Sequence, residues 1–319
     1  MFASGENTYK VILFYRYVNI ADPDELHDQL LGICTKLSLL GRILIAQEGI
    51  NGTLGGSVLN VDAFISYIRA DERFAHVDWK DSFGQGEVPF LSLSIRVVSE
   101  IISTGKEFKK VYTQNSYDES SFGGLGGTGQ HLSATDFHVA LQQPNTVVLD
   151  IRNDFEHEVG HFKDSLCIGA YTYAETFGKM ENVLQPPDQE HRQVLMYCTG
   201  GIRCEKASAY LVRKGYKNVC QLEGGIHKYI QQYSKDGLFE GKNFVFDSRV
   251  SMAPDGGEAA GSEGGSSGDK VGKCIDCHSP YDVYSGKVVC TVCRMPVLVC
   301  VSCREHNECP EEYYCSRHR

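Results

Sequence analysis

The stretch YCTGGIRCEKASAYLVRKG, residues 197–215, decides the fold of the middle of this chain. The apolar run RQVLMY before Cys198 is typical of a buried strand, and a helical pattern with Gly215 as its stop begins after Arg203. One helix face carries Cys204, Ala207, Ser208 and Leu211. A strand, a tight turn and a helix form the repeating unit of a parallel α/β sheet, so we expect Cys198 at the carboxyl end of a strand, where such sheets hold reactive groups.

The turn itself predicts a reactive thiolate. Gly200 and Gly201 allow backbone N–H groups to point at the sulfur, and the helix N-terminus and Arg203 add positive charge. These conditions lower a thiol pKa and maintain a nucleophile, whereas an inert core cysteine needs neither the glycines nor the arginine. The predicted catalytic residues are Cys198 and Arg203, with an active-site loop of Thr199, Gly200, Gly201 and Ile202.

Composition and charge limit the possible function classes. The 319 residues are 42% hydrophobic and 23% charged, typical of a soluble globular chain with two or three domains. No apolar run reaches the roughly 20 residues that span a bilayer, and the first residues lack a basic leader. We therefore expect a cytoplasmic protein without a membrane partner. The formal charge of −10 argues against non-specific nucleic-acid binding by the whole surface, but leaves room for a local basic patch.

The first part of the chain, residues 1–115, predicts a ferredoxin-like α+β sandwich of order βαββαβ. YKVILFYRYV is its first strand, and PDELHDQLLGICTKLS is a helix capped by Asp22 with Pro23 at its first position. Two strands are expected to meet near Asn51-Gly52, and FLSLSIRVVSE is expected to close the sheet. Residues 116–130 are a glycine-rich linker.

The remaining chain predicts a second α/β domain and a small tail. Residues 131–250 alternate buried strands and helices, which indicates a mostly parallel sheet. Residues 251–272 are acidic and of low complexity, so we expect a flexible linker. Residues 273–319 form a cysteine-rich tail.

The tail predicts a metal-binding module. Each of the three C-x2-C pairs can supply two thiolates to one tetrahedral metal ion. A segment of about 45 residues cannot bury much apolar core, so bound metal would supply its folding free energy. We expect two structural zinc ions, without a catalytic role, and no organic cofactor, because no phosphate- or dinucleotide-binding motif is present. The predicted ligands are Cys274, Cys277, Cys290, Cys293, Cys300, Cys303, Cys309 and Cys315. A disulfide cluster is the alternative, the pairing stays open, and any of His278, His306 and His318 could replace a cysteine.

Three separated motifs resemble the rhodanese family. VLDIRNDFEHEVGHFKDSLCIGA matches its D-x-R…E…G-H segment, CTGGIR its active-site loop, and GYKNVCQLEGGIHKY its closing stretch. The matched positions are Asp150, Arg152, Glu158, Gly160 and His161. The resemblance implies a persulfide on Cys198, held by the loop backbone and Arg203 and filled from a sulfur donor such as thiosulfate or another persulfide. It implies Asp150 and Arg152 as supporting residues.

A wider resemblance, to the tRNA uridine hydroxylase family, covers nearly the whole chain in order. It is carried by IAQEGINGTLGG, CTGGIRCEKAS, GKNFVFDSRV and the cysteine-rich tail. It implies an acylphosphatase-like first domain, tRNA as partner, and oxygen-dependent hydroxylation at carbon 5 of the wobble uridine. Five basic residues against one acid between Arg203 and Lys217 make a +4 segment beside Cys198. Lys206, Arg213 and Lys214 are its expected RNA-binding residues.

Other functions remain open from the residues alone. A sulfurtransferase acting on small-molecule or protein thiols would use the same loop, and a scaffold would use none of it. Cysteine phosphatases have C-x5-R, one residue longer than the loop here. Cys204 is either a resolving thiol or, since it shares an apolar helix face, a packing residue.

Overall fold

The computed structural model describes residues 8–111, 127–184, 192–254, 270–307, 309 and 312–319. The chain divides into two compact units, Met1–Thr128 and Gly129–Arg319. The division falls inside the predicted linker 116–130, most of which, like most of the predicted linker 251–272, lies outside the described residues.

The first unit is a ferredoxin-like sheet with one added strand, so the predicted fold class is confirmed. Its sheet has the order β4-β1-β3-β2-β5, and only β5 pairs in parallel, with β2. Its elements are β1 (Thr8–Tyr17), α1 (Pro23–Lys36), β2 (Leu40–Ala46), β3 (Gly49–Ser57), α2 (Val58–Arg69), a 3-10 turn (Glu72–Phe74), β4 (Lys80–Gln85), β5 (Leu93–Val97) and α3 (Gly105–Val111). The Asp22 carboxylate accepts the N–H of Glu25 at 2.9 Å, so the predicted cap of α1 is confirmed.

Two strand predictions in this unit are wrong. The strand that closes the βαββαβ order is β4, whose polar sequence KDSFGQ lacks an apolar alternation because it lies half-exposed at the sheet edge. The predicted closing strand contains β5, which extends the opposite edge. The β2–β3 turn is at residues 47–48, whereas Asn51 and Gly52 lie inside β3. A Cβ at Gly52 would come within 2.6 Å of the Phe14 ring, so this glycine permits close packing.

The second unit contains the predicted parallel sheet, with all five strands in parallel in the order β6-β11-β10-β7-β9. Two antiparallel pairs, β8–β12 and β13–β14, lie beside it. Its elements are β6 (Gln130–Leu132), α4 (Ala134–Leu141), β7 (Thr146–Asp150), α5 (Asp154–Val159), β8 (Gly160–Phe162), β9 (Leu166–Cys167), α6 (Tyr173–Val183), β10 (Gln193–Tyr197), α7 (Ile202–Arg213), β11 (Val219–Leu222), α8 (Gly225–Tyr233), a 3-10 turn (Ser234–Asp236), β12 (Phe239–Gly241), β13 (Asn243–Phe244), β14 (Ser251–Met252) and α9 (Val301–Glu305).

Strand β10 occupies the middle of this sheet and determines where Cys198 lies. Its residues Val194 to Tyr197 are 0–4% exposed, which explains the uninterrupted apolar run in the sequence. Helices α4 and α8 share one apolar cluster with β10, and α6 contacts α7 through the rings of Phe177 and Tyr210. Cys198 therefore leaves the sheet at its centre.

The cysteine-rich tail is not a separate unit. Its residues Tyr281, Tyr284 and Leu298 share a buried apolar cluster with Phe155 of α5 and Phe244 of β13. The Tyr284 hydroxyl contacts the Phe155 carbonyl and the Glu158 carboxylate, both at 2.9 Å. The tail therefore packs against the helix that follows β7, and the predicted boundary at 273 does not separate two compact bodies. The predicted tether is also wrong at its start, since Ser251–Met252 pair with β13.

Within the described parts of the chain, no helix combines the length and the apolar character needed to cross a membrane.

Candidate active site and metal centres

The Cys198 sulfur lies in a cradle of backbone donors. Cys198 is 0% exposed, and the Gly201 N–H donates to its sulfur at 3.1 Å. Gly201 has a φ of +99°, which favours glycine and lets α7 begin at the next residue. The N–H groups of Arg203 and Cys204, in the first turn of α7, help to lower the pKa of Cys198. The strand–turn–helix placement predicted for Cys198 is confirmed.

These donors change the acidity of Cys198. Burial raises the pKa of the Cys198 thiol, but hydrogen bonding from the Cys204 thiol, the charge of Arg203 and the two backbone N–H groups outweigh it and lower that pKa to about 5. Burial, together with this contact, raises the pKa of Cys204 well above its usual range. The sulfur of Cys198 is therefore a thiolate at neutral pH, and Cys204 is its protonated donor.

Arg203 is held by a carboxylate. Its Nη1 and Nη2 donate to the two oxygens of Glu156 at 2.6 and 2.7 Å, and Nη2 also donates to Thr199 Oγ1 at 3.1 Å. Glu156 is 0% exposed and Arg203 is 6% exposed. A bidentate pair of this kind fixes the guanidinium plane and neutralises much of its charge.

Glu156 is the site residue that the sequence reasoning missed. The motif contains two glutamates, and Glu158 was matched, although it contacts Tyr284 of the tail and not Arg203. The N-x-x-E spacing from Asn153 is a capping box that starts α5, and it places Glu156 in the first turn, next to the loop. That spacing was the signal available in the sequence.

A second buried pair supports the adjacent strand. The Arg152 Nε and Nη2 donate to the Asp150 carboxylate at 2.9 and 2.6 Å, and both side chains are 0% exposed. Asp150 also accepts the Tyr197 hydroxyl at 2.8 Å and contacts His157 Nδ1 at 2.9 Å. Burial raises the pKa of Asp150, but the charge of Arg152 and the bonds from His157 and Arg152 lower it well below its usual range. Asp150 and Arg152 thus lie at the carboxyl end of β7, and Asp150 contacts Tyr197, the residue before Cys198.

The start of α8 closes the cradle. The N–H groups of Ile226 and His227 donate to the carbonyls of Cys198 and Thr199 at 3.0 and 3.1 Å. Gly225 has a φ of +66°, and a Cβ there would lie 2.5 Å from the Cys198 carbonyl oxygen. The Gly-Gly pair of the closing motif is needed for this close approach.

The basic segment near Cys198 is only partly at the surface. Arg213 and Lys214 are exposed, and Lys214 pairs with Glu181 at 3.0 Å. Lys206 is 1% exposed, because α7 is buried on all sides over residues 203–211. The prediction of Lys206 as an RNA-binding residue does not agree with this burial, and RNA contact stays a prediction for Arg213 and Lys214.

The tail holds two groups of four possible metal ligands. The ligand atoms of each group lie within 4.8 Å of one another. The groups are Cys274, Cys277, Cys300 and Cys303, and Cys290, Cys293, Cys315 and His318. Cys309 is exposed and belongs to neither group, so its prediction as a ligand is corrected: among the described residues the eighth ligand atom comes from His318. Four thiolates, or three with an imidazole, are donor sets typical of structural zinc.

A repeated local fold builds both groups. KCIDCHSP (273–280) and VCTVCRMP (289–296) each close a turn in which the sixth residue, His278 or Arg294, has a φ near +60° (59° and 62°). The first turn supplies Cys274 and Cys277, and Cys300 and Cys303 complete that group. The second turn supplies Cys290 and Cys293, and Cys315 and His318 complete the other group. The two groups therefore alternate along the chain. The sulfurs of Cys277 and Cys300 are 3.7 Å apart, far beyond the about 2.05 Å of a disulfide, so the alternative of a disulfide there is not supported.

Family comparisons cover most of the chain. Models of the UPF0176 acylphosphatase-like domain, the rhodanese-like domain and the rhodanese C-terminal domain match residues 9–101, 133–232 and 240–318. The last match joins β12–β14 to the tail, as the packing does.

Curated relatives match most of this chain. A tRNA uridine(34) hydroxylase of Leptospira interrogans is 35% identical over 92% of this chain and 74% of its own length, and one of Cytophaga hutchinsonii is 38% identical over 76% and 72%. A rhodanese-like domain-containing protein 6 of Arabidopsis thaliana is 35% identical over 94% of this chain, which spans about half (51%) of that relative. A thiolate cradle and a cysteine-rich tail, joined to this domain order and degree of identity, place the chain in the tRNA uridine(34) hydroxylase family.

Proposed function

We propose that this protein hydroxylates a uridine of tRNA at carbon 5, with molecular oxygen as the oxidant and Cys198 as the reacting sulfur. One oxygen atom replaces the hydrogen of carbon 5 as a hydroxyl group and the other leaves as water, and a thiol reductant supplies the two electrons by becoming a disulfide. The observation that carries the proposal is the buried Cys198 thiolate, with a pKa lowered to about 5, in a chain of this family's domain order. Relatives named as tRNA uridine(34) hydroxylases supply the substrate class. A cytosolic location, where thiols stay reduced, belongs to the same proposal.

The charge balance of the cradle favours this function over phosphate chemistry. The Glu156 carboxylate occupies both Nη atoms of Arg203, so a phosphate dianion would meet a carboxylate where a phosphatase offers a cation. An uncharged uracil ring meets no such repulsion, and the single charge of a perthiolate meets less of it than a phosphate dianion does. The proposal therefore includes a persulfide on Cys198, whose outer sulfur would lie about 2.05 Å beyond the buried sulfur.

Sulfur transfer from thiosulfate or another persulfide is the second candidate. It is favoured by the same donors around the sulfur, because backbone N–H groups stabilise a thiolate and a perthiolate alike. In that case the acceptor would be a small-molecule or protein thiol.

Binding of tRNA needs cations at the surface, since phosphates dominate the affinity for nucleic acids. Arg213 and Lys214 are exposed at the end of α7, the helix that begins at the cradle. We propose that they contact phosphates, and that the tail holds structural zinc in its two ligand groups.

The test incubates the full chain with an unmodified tRNA transcript and a thiol reductant, in air and under argon, and measures the nucleosides by mass spectrometry. We expect 5-hydroxyuridine in air only, and its loss in Cys198→Ser. Cys220→Ser is the matched control, because Cys220 is another buried cysteine of the same sheet, on β11. Formation of 5-hydroxyuridine by Cys198→Ser would contradict the proposal. A parent chain that forms no 5-hydroxyuridine but transfers sulfur from thiosulfate to a thiol acceptor would favour sulfur transfer.

A further inference from the structure

The loop between β13 and β14 is fixed by several backbone and side-chain hydrogen bonds. The Val245 N–H donates to the Val250 carbonyl at 2.8 Å, and the Val250 N–H donates to the Asp247 carbonyl at 3.0 Å. Arg249 grips the Asp247 carboxylate through Nε and Nη2 at 2.9 and 2.5 Å, and these side chains are 8% and 2% exposed. Val250 has a φ of +63°, a conformation that a β-branched residue rarely adopts. Strain of this kind persists only where the surroundings determine the backbone, so the loop is a rigid support.

This support presents a phenyl ring to solvent. Phe244 is 7% exposed and belongs to the apolar cluster shared with the tail, whereas Phe246, two residues later, is 51% exposed. The two rings meet edge to face, with centroids 5.2 Å apart. A single exposed apolar residue is common on protein surfaces, but here the exposure is combined with a strained and buried support.

The ring also adjoins the catalytic loop. The Arg203 Cζ lies 5.9 Å from the centroid of the Phe246 ring. Arg203 is the residue whose charge and N–H act on the Cys198 sulfur, so Phe246 is one residue removed from the reacting atom. Since Glu156 already neutralises Arg203, the ring is not needed to stabilise this cation.

We propose that Phe246 is a positioning residue on which the uracil ring of the substrate stacks when it approaches Cys198. The inference rests on the proposed function, because it names the surface that receives the substrate base. Bases that leave a nucleic-acid stack are commonly held on aromatic side chains, and a neutral pyrimidine offers a π-face without a charge to compete for Arg203. The Phe244 contact at one edge keeps the phenyl ring oriented for this stacking.

The test compares Phe246→Ala, Phe246→Trp and Phe246→Leu in the full chain, with tRNA hydroxylation as the readout. We expect alanine to raise KM for tRNA roughly ten- to hundredfold with kcat much less changed, tryptophan to restore it, and leucine to fail, because leucine has no π-face. Persulfide formation from thiosulfate should be unchanged in all three. Phe83→Ala is the matched control, since Phe83 is 57% exposed and also faces a cation, Lys10, at 5.6 Å.

A binding cycle makes the outcome independent of turnover. The affinities of the parent chain and Phe246→Ala are measured for an anticodon stem-loop with uridine at the wobble position and for the same RNA lacking that base. We expect alanine to weaken binding of the first RNA tenfold or more and to leave the second unchanged. Equal losses on both RNAs, rescue by leucine as good as by tryptophan, or loss of persulfide formation would overturn the inference. If the parent binds the uridine but forms no 5-hydroxyuridine, the proposed reaction fails while this cycle still decides the role of Phe246.

Discussion

The two cysteine environments of the second unit balance negative charge in opposite ways. At Cys198 a single thiolate is surrounded by donors of the protein itself, namely the Gly201 N–H, the first turn of α7 and Arg203. In the tail, two groups of four ligand atoms lie within 4.8 Å, so several thiolates would repel one another unless a metal ion joined them. The protein thus supplies the positive charge for the Cys198 thiolate itself, whereas an ion could supply it for the thiolates of the tail.

The difference also explains the spacing of each motif. A glycine pair before a helix is needed where backbone N–H groups must surround one sulfur. A two-residue spacer is sufficient where two sulfurs must reach the same point. Cys198 is therefore suited to reaction, whereas the tail thiolates are suited to closed coordination.

Breaking one ligand group should have the largest effect. His318→Ala should remove one of two bound metal ions and unfold part of the tail, because metal binding supplies about 10 kcal/mol or more in small metal modules. Metal analysis and limited proteolysis measure this. Cys309→Ser is the matched control and should retain both ions, and equal loss in the two variants would show that the ligand groups are assigned wrongly.

Breaking the ion pair of the cradle should have an intermediate effect. Glu156→Gln leaves Arg203 charged and buried without its carboxylate, which we expect to lower the free energy of unfolding by roughly 3–5 kcal/mol. Urea unfolding of the full chain measures the loss. Glu158→Gln, which affects only the Tyr284 contact, should cost about 1 kcal/mol. If the two variants lost the same stability, Glu156 would not be the partner that matters.

Removing a single donor should have the smallest effect. Cys204→Ala should raise the pKa of Cys198 by about one unit, because it deletes a hydrogen bond to the thiolate, while Cys204→Ser keeps a donor. The parent should form the persulfide from thiosulfate at full rate down to about pH 5 and lose it below, and the alanine profile should move upward. Unshifted profiles would make Cys204 a packing residue, and a Cys198–Cys204 disulfide on oxidation would make it a resolving thiol.

The Cys198 thiol also makes the free energy of unfolding depend on pH. Its pKa in the folded chain, about 5, is below that of an exposed thiol, about 8.5, so the stabilisation is complete above pH 8.5 and decreases as the pH falls toward 5. Cys198→Ser should flatten this part of the curve.

Sequence reasoning was most successful where a pattern is local. The cap of α1, the first strand β1, strand β10 and the loop at Cys198 follow from neighbouring residues, and each was predicted. It was wrong for β4, whose polar edge sequence contains no periodic signal, and for Asn51-Gly52, where a glycine needed beside Phe14 resembled a turn. Both errors concern residues whose environment is built by distant parts of the chain.

The sequence by itself determined the two α/β domains, the strand-to-helix position of Cys198 and the presence of metal-ligand residue types in the tail, because periodicity, glycine placement and ligand spacing are properties of short segments. Only the tertiary structure decided that Glu156 holds Arg203, that Lys206 is buried, that His318 replaces Cys309, and that the tail packs against α5. Each of these depends on contacts between side chains that are far apart in sequence. Such contacts, and not the spacing of residues within a motif, set the cost of burying a charge and the geometry of a ligand group.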